Sequence, residues 1–421
     1  MVARWVWIIT AWITAVLVIL LTSCGGGAGS PMMTTASQSG SGGSTVQHYE
    51  YVFPDGGVYV YNMDNNFALV KKISVPTTAG VRGTVASVKT GMLYISFGGD
   101  GGSNGTNGNL LAYNLQTDTV AWTRSYSFGI DSESVSNDGT KIYLPEGELA
   151  SNGLWQVVDT SSGDVIGTIN SGGSGPHNTV INPADTHVYM GPRSSNFLVE
   201  ADTATDQVIR QIGPVGGTGG VRPFTINGSE TLAFITLTGY LGFQVGDINT
   251  GKILYTVPVQ GFSAAGAAAS APSHGISLSS DEKEIYLVDS PNSYVHVFDV
   301  SGLPGSAPKQ VADIKLVNPM GGNEAGCAYD CLKDGWLHHS RDGRYVLVGD
   351  SGDVISTATR TTVATLPAMA NSRKEIEIDF QNNTVVWAMN NRSSLGTVGS
   401  TGALFPNPVV RTALLSFHAF P

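Results

Sequence analysis

The feature that most constrains this chain is a repeat of about 45 residues that runs through most of its length. Six copies open on a polar residue, continue as an apolar strand pattern, turn at Asn, Asp, Gly or Ser, and have an aromatic residue twelve positions after the first, whereas the copy at 336–350 has a shorter turn and no aromatic residue at that offset. Period-2 alternation bounded by turn residues predicts a pair of antiparallel strands. The residues that open the copies are Arg82, Asp131, His177, Arg222, His274 and Glu375.

Two further strands around an Asp or Asn turn follow each hairpin, for example in residues 154–169 and 242–257. A unit of four antiparallel strands with this period is typical of a β-propeller blade. Six units begin near residues 82, 131, 177, 222, 274 and 335, and a seventh begins at 375. We therefore predict an all-β, seven-bladed propeller over residues 49–390, with six blades as the alternative.

The seventh unit has only its first two strands, EIEIDF and TVVWAM, before the repeat pattern ends. Two unassigned strands, GVYVYNM (57–63) and FALVKKISV (67–75), lie at the other end of the pattern. We predict that these N-terminal strands complete the C-terminal blade. Such a closure would leave no free strand edge in the ring.

Composition agrees with this fold and limits the partners. The chain has 53 Gly among 421 residues, 41% hydrophobic residues and 13% charged residues, which favours short strands and tight turns over helix bundles and argues against disorder. The net charge is −11 and no dense Lys/Arg run occurs, so we predict no nucleic-acid partner. We expect a monomer.

The N-terminal segment, residues 1–23, has the pattern of a secretory signal peptide, since Arg4 precedes an apolar run. The sequence Leu21-Thr22-Ser23-Cys24 resembles the lipobox of bacterial lipoproteins. We predict that Cys24 carries a lipid and that this lipid is the sole membrane anchor. An uncleaved anchor helix is the alternative. Either arrangement places the folded part outside the cytoplasm, at the bacterial cell envelope.

The segments that flank the propeller have different expected roles. Residues 24–48 contain the predicted lipidated Cys and a Gly/Ser-rich stretch, which predicts a flexible tether. The repeat pattern does not extend into residues 391–421, for which we predict a tail that packs on the propeller.

The turns SNDG (136–139), SRDG (340–343) and Asp247-Ile-Asn-Thr-Gly251 resemble those of YVTN-type β-propeller repeats of bacterial extracytoplasmic proteins. The resemblance covers most of residues 57–390, although no blade reads Tyr-Val-Thr-Asn itself. It implies the propeller fold. It implies function only weakly, because similar proteins include lactone hydrolases, dehydrogenase heavy chains and binding scaffolds.

The residues that open the repeats are the candidate site. In a propeller, the first strand of each blade lines the central channel, so its opening residue lies near one mouth. We therefore predict a ring of ligand-binding side chains at that mouth, with His338 and His339 as a second tier because the sixth copy opens near Gly335. The ring consists of Arg82, Asp131, His177, Arg222, His274 and Glu375. The alternative is that these groups only pair with one another in a wet channel.

Loop lengths point to the same mouth. The longest insertions, 98–108, 147–153, 261–272 and 318–335, belong to connections that lie on one face of a propeller. Long loops on one face of a rigid scaffold are a common location for binding sites.

The chemistry of the ring favours an anion. The planar guanidinium group of Arg binds carboxylates and phosphates through two parallel hydrogen bonds, and His adds a hydrogen-bond donor or supplies a proton. We predict a binding module for an anionic small molecule or peptide, with no metal because two Arg oppose a cation, and with no cofactor because haem, P-loop and dinucleotide motifs are absent from the sequence. A hydrolase or lyase that uses Asp131 and His177 as acid and base, similar to lactone-hydrolysing propellers, is the alternative. A scaffold that docks an envelope protein on its loop-rich face is a third reading.

Cys327 and Cys331 form a Cys-x3-Cys pair inside the longest insertion. We predict a disulfide there, because disulfides persist outside the cytoplasm. A metal or redox pair assisted by His338 and His339 is the alternative.

Overall fold

A computed structural model describes residues 45–389, except 76–77, 217–218 and 266–269. The predicted signal peptide, Cys24, most of the tether and the tail 391–421 lie outside the described residues. Within the described residues, one short helix, α1 (Gly99–Gly102), and two 3-10 turns accompany 29 strands. No helix in this part of the chain is long and apolar enough to cross a membrane.

Six blades each consist of four antiparallel strands taken in chain order. Blade 1 comprises β4 (Val81–Ser87), β5 (Met92–Phe97), β6 (Asn109–Asn114) and β7 (Thr119–Ser125). Blade 2 comprises β8 (Ser134–Val135), β9 (Lys141–Pro145), β10 (Leu154–Asp159) and β11 (Val165–Asn170). Blade 3 comprises β12 (Pro176–Ile181), β13 (His187–Pro192), β14 (Leu198–Asp202) and β15 (Gln207–Ile212).

The next three blades repeat this order. Blade 4 comprises β16 (Val221–Ile226), β17 (Leu232–Leu237), β18 (Gly242–Asp247) and β19 (Lys252–Pro258). Blade 5 comprises β20 (Ile276–Leu278), β21 (Glu284–Asp289), β22 (Tyr294–Asp299) and β23 (Lys309–Lys315). Blade 6 comprises β24 (Trp336–His339), β25 (Tyr345–Gly349), β26 (Asp353–Ser356) and β27 (Thr361–Thr365).

The seventh blade joins the two ends of the described chain and closes the ring, which confirms the seven-bladed propeller. It comprises β28 (Glu375–Gln381), β29 (Thr384–Ala388), β1 (Gln47–Val52), β2 (Gly57–Asn62) and β3 (Ala68–Ser74). Their order across the sheet is β29-β28-β1-β2-β3.

The order of strands in this closing blade differs from the one we expected. We assigned 384–389 as its second strand, but β1 occupies that position and β29 pairs with the other edge of β28. The ladder between β1 and β28 runs without a break from Gln47↔Phe380 to Val52↔Glu375, whereas the ladder between β28 and β29 is shorter and interrupted by a register shift. The longer, regular ladder supplies more backbone hydrogen bonds.

The first strands of successive blades contact one another around the ring, so they line its axis. The hydrophobic core lies between the faces of neighbouring blades, as where Val85 and Tyr94 of blade 1 pack with Ile142 of blade 2. The aromatic residue of each clear repeat is almost fully buried in this core. These residues are Tyr94, Tyr143, Tyr189, Phe234 and Tyr286.

Candidate functional site: the capped channel mouth

Residues that lie one repeat apart in the sequence are neighbours in the propeller, because consecutive blades are adjacent in the ring. Asp131 Oδ2 lies 3.1 Å from His177 Nδ1 and 3.3 Å from Arg82 Nη2. Ser132 and Asn178 also form a backbone bridge between the inner strands of blades 2 and 3. Three of the predicted ring residues are therefore in direct contact, although about 45 positions separate each from the next.

The Glu148 carboxylate balances the positive charge of three arginines at this mouth. It belongs to the insertion 147–153 and is buried. Its Oε1 accepts from Arg82 Nη2 at 3.0 Å, while its Oε2 lies 2.6 Å from Arg193 Nη1 and 3.4 Å from Arg222 Nη1. One carboxylate thus holds three guanidinium groups from blades 1, 3 and 4.

Arg222 is further held by two hydroxyl groups. Its Nε donates to Thr238 Oγ1 at 2.8 Å and its Nη2 donates to Ser270 Oγ at 2.6 Å. Burial and the neighbouring Arg193 lower the pKa of Arg222, and Glu148 opposes this shift. Its guanidinium is therefore fixed in place and only partly compensated by negative charge.

The insertion 318–335, here called the cap, covers the mouth. A disulfide joins Cys327 to Cys331. Between these cysteines, Asp330 Oδ2 accepts from Arg82 Nη1 at 3.0 Å and from Arg373 Nη2 at 2.7 Å. The cap therefore inserts a carboxylate between two guanidinium groups of the propeller.

Two more cap residues contact the same arginines. The Tyr329 ring lies 5.5 Å from the guanidinium carbon of Arg82, a cation–π contact. Asp334 accepts from Arg373 Nη1. The side chains of Arg82 and Arg373 are 3–4% exposed, whereas that of Asp330 is 35% exposed. Among these three ion-paired residues, the one that faces solvent therefore belongs to the cap.

Two histidines lie beneath the cap. The ring centroids of His177 and His274 are 6.1 Å apart, and His274 Nδ1 lies 2.9 Å from the carbonyl oxygen of Gly335. Burial lowers the pKa of both histidines, and for His274 the nearby Arg373 adds to the effect. Both rings are therefore neutral near pH 7. His177 Nε2 is buried without a hydrogen-bond partner among the described residues.

The carboxylates differ in how they titrate. Burial opposes ionisation of Asp131 and Glu148, but Arg82 and His177 outweigh it and hold the pKa of each carboxyl below its usual range. Burial likewise opposes ionisation of Asp330, and Arg373 and Arg82 outweigh it. Burial raises the pKa of Asp334 to about 7, so this group is about half ionised near neutral pH.

Asp131, Glu148 and His177 place three potential metal-ligand atoms within 4.8 Å of one another. Arg82 Nη2, however, lies 3.3 Å from Asp131 and 3.0 Å from Glu148. The guanidinium charge therefore occupies the position that a cation would need between the two carboxylates.

The structure gathers five of the six predicted ring residues at the mouth: Arg82, Asp131, His177, Arg222 and His274. Glu375 instead faces blade 6. Its carboxylate lies so close to Gly349 that a Cβ atom added to this glycine would come within 2.5 Å of Glu375 Oε2.

The second-tier histidines also lie between blades rather than at the mouth. His338 Nε2 lies 3.2 Å from Glu50 Oε1, and His339 Nδ1 lies 2.9 Å from Ser277 Oγ. Burial lowers the pKa of His339 to about 3.

The sequence reasoning did not single out four charged residues of the site: Glu148, Arg193, Asp330 and Arg373. Glu148 and Asp330 lie in insertions that loop length had marked, so their position was indicated but not their partners. Arg373 stands two residues before Glu375, the repeat position we chose. Arg193 follows β13 and carries no repeat signal.

Comparison with known proteins supports the fold and goes no further. No family model matches the chain, and no curated protein matches it. Among solved structures, a functionally unknown protein from Desulfotomaculum acetoxidans DSM 771 superposes with a TM-score of 0.58 at 12% identity, covering 78% of this chain and 98% of that one. The β-propeller domain of Myceliophteria thermophila Cps50 (Swd1) gives 0.51 at 11% identity, covering 73% and 94%.

Hydrazine synthase from Kuenenia stuttgartiensis gives a TM-score of 0.50 at 15% identity, covering 75% of this chain and 89% of that one. These identities are too low to carry a shared activity. The likeness is one of fold.

Proposed function

We propose that this protein is a binding module that takes an anionic ligand, a carboxylate or phosphate on a small molecule or peptide, at the capped channel mouth. The observation that carries the proposal is the position of the Asp330 carboxylate, whose Oδ2 accepts from Arg82 Nη1 at 3.0 Å and from Arg373 Nη2 at 2.7 Å. Two buried guanidinium groups that converge on one carboxylate are an anion-binding arrangement.

In this proposal the Asp330 carboxylate stands where the ligand anion binds. Asp330 comes from an insertion, whereas Arg82 lies in the first strand β4 and Arg373 lies two residues before the first strand β28. A ligand anion would displace the cap carboxylate and gain both guanidinium groups. Asp334, whose pKa burial raises to about 7, would lose its charge easily when a second anion approaches.

The test uses Asp330→Ala in the full chain, in mild detergent, with inorganic phosphate and succinate as probes in thermal unfolding. Removal of the competing carboxylate should increase the stabilisation by either probe relative to the unchanged protein. A ligand at one hundred times its dissociation constant stabilises by about 2.7 kcal/mol. Arg373→Gln in the same background should abolish the effect.

Asp118→Asn is the matched control, because Asp118 is an exposed carboxylate paired with a cation, Lys71, far along the chain from the cap. It should leave the response to both probes unchanged. If Asp330→Ala gains no response to phosphate or succinate, the anion site is refuted. The scaffold reading would then be favoured, in which an envelope protein docks on the cap face.

A second candidate function, a hydrolase or lyase, is supported by the contact of Asp131 Oδ2 with His177 Nδ1 at 3.1 Å. This contact would orient the ring and leave the buried Nε2 to act as a base. The test is turnover of lactone substrates by the unchanged protein and by His177→Gln. Turnover that is lost in the variant would support the enzyme, and binding without turnover would support the module.

For cellular location, we propose that the propeller lies outside the cytoplasm, held at the envelope by a lipid on Cys24, and that its repeats are of the YVTN type. The support is the lipobox-like sequence 21–24 and the SNDG and SRDG turns. Cys24→Ala should leave the membrane fraction, and continued membrane association would refute the anchor.

A further inference from the structure

A second cluster of ligand-type atoms lies on the seam between blades 3 and 4, away from the mouth. His187, Glu200 and Glu230 each offer one potential ligand atom, and these three atoms lie within 4.8 Å of one another. His187 Nδ1 lies 2.8 Å from Glu230 Oε2 and 3.7 Å from Glu200 Oε1. We propose that these three atoms bind a divalent transition-metal ion of the Zn²⁺ type.

Comparison of the blades with one another shows that Glu200 is exceptional. It lies cross-strand from Tyr189, the aromatic residue of its repeat, and is 3% exposed. The residues in the same register of the other clear repeats are all apolar: Ala112, Val157, Val245 and Val297. A buried carboxylate at a position that otherwise takes alanine or valine needs a partner to offset its desolvation.

Glu230 is exceptional for a different reason. Its counterparts one repeat away, Asp185 and Glu282, have the same left-handed backbone and accept from backbone N–H groups of the preceding blade. Glu282 accepts from Gly228 N, and the residue that corresponds to Gly228 for Glu230 is Pro183, which has no N–H. Glu230 therefore points its carboxylate at side chains.

In each carboxylate, one oxygen accepts a hydrogen bond from a neighbouring side chain, and the other oxygen faces His187. Arg210 Nη1 donates to Glu200 Oε2 at 3.0 Å, and Asn182 Nδ2 donates to Glu230 Oε1 at 2.7 Å. The Tyr189 hydroxyl lies 3.2 Å from Glu200 Oε1 and 3.0 Å from Glu230 Oε2. Such supporting hydrogen bonds orient metal ligands in characterised sites.

The donor set and its access suit this class of ion. One imidazole nitrogen and two carboxylate oxygens are ligands that Zn²⁺ accepts, with a water in the fourth position. Ligand atoms around tetrahedral Zn²⁺ are separated by about 3.4 Å, between the 2.8 and 3.7 Å seen here. His187 is 31% exposed and Glu230 is 23% exposed, so an ion can reach the cluster from solvent.

The experiment is a calorimetric titration of the chelator-treated full chain, in mild detergent, with ZnCl₂, repeated with CoCl₂ for its visible absorption. We expect one ion per chain, a higher unfolding temperature with Zn²⁺, and the intense d–d bands of a tetrahedral Co²⁺ site. His187→Leu and Glu200→Val install residues that sister blades carry at those positions, Leu232 and Val157, and should weaken Zn²⁺ affinity at least about tenfold.

Glu200→Gln, which preserves side-chain shape, is the second variant should Glu200→Val fail to fold. His48→Gln is the control, since it removes an imidazole that lies 2.9 Å from Asp64 and is 26% exposed, and it should leave Zn²⁺ affinity unchanged. Every protein in the series carries the same Cys24, so any contribution of that residue cancels. Equal Zn²⁺ affinity in the unchanged protein and His187→Leu, no binding at all, or loss of binding in His177→Gln instead would overturn the proposal.

Discussion

Glu50 lies directly opposite Glu377 in the antiparallel ladder between β1 and β28 that closes the ring, and both side chains are buried. Like charges opposite each other destabilise a strand pair. The compensation comes from blade 6: His338 Nε2 lies 3.2 Å from Glu50 Oε1, and the Arg341 backbone N–H donates to Glu377 Oε2 at 2.7 Å. Ring closure therefore depends on the ionisation of a few buried groups.

The stability of the protein should fall between pH 6.5 and 9 because of His338. Burial opposes its charging, but Glu50 and Glu375 outweigh burial and raise the pKa of His338 to about 8. A raised histidine pKa contributes stability that is complete below about 6.5 and is lost as the pH rises through about 8. The loss is about 2 kcal/mol.

Glu377 acts in the same direction, since burial and its neighbour Asp379 raise its pKa, and a raised carboxyl pKa also favours the fold at lower pH. Urea unfolding at pH 6.5 and 9 measures the decline, which should be smaller in His338→Gln. A variant with the same decline as the unchanged protein would show that other groups control it.

Replacement of Glu148 by Gln should destabilise the fold by about 3–5 kcal/mol. The change removes the carboxylate that Arg82, Arg193 and Arg222 share, and breaking a buried ion pair such as that of Arg222 with Glu148 is costly. Denaturant unfolding measures the effect. Asp164→Asn, which removes an exposed ion pair with Arg124, should cost less than about 1 kcal/mol, and equal costs would contradict the buried network.

Gly83→Ala should destabilise the protein by about 1–3 kcal/mol through overpacking. A Cβ at this position of β4 would lie 1.8 Å from Glu133 Oε2 and 2.8 Å from Ser96 Oγ, which are themselves 2.6 Å apart. Thermal unfolding should show the loss. Gly321→Ala is the control, because its Cβ would meet nothing within 4 Å. A tolerated Gly83→Ala would mean that Glu133 has room to move.

Reduction of the Cys327–Cys331 disulfide should loosen the cap and leave the propeller folded. The bond closes a short loop whose loss costs about 2 kcal/mol in the chain-entropy model. Limited proteolysis should then cut inside 318–335 faster, while intact mass reports the gain of two hydrogen atoms. Unchanged cleavage would indicate that Asp330 and Tyr329 hold the cap without the disulfide.

The repeat made the fold predictable, because a blade is a local unit whose alternation and turns are written in consecutive residues. The buried aromatics at Tyr143, Tyr189 and Tyr286 occupy the predicted frame. The closing blade was predictable only in outline. The position of β1 against β28 depends on which edge of β28 each of β1 and β29 pairs with, and no local pattern encodes that choice.

The candidate site follows the same division. Repeat position alone brought Arg82, Asp131 and His177 to one mouth, since each opens a first strand. The carboxylates that engage them, Glu148 and Asp330, come from insertions that have no repeat, so their partners depend on how each loop folds over the ring.

By itself, therefore, the sequence determined the all-β architecture, favoured seven blades over six, and identified five polar residues that meet at one mouth, because these features depend on short-range alternation and a fixed period. Tertiary structure alone decided which charges pair, as when Asp330 reaches Arg82 from 248 positions away. Long-range ion pairs depend on distances of a few ångströms between segments that become neighbours only when the ring closes.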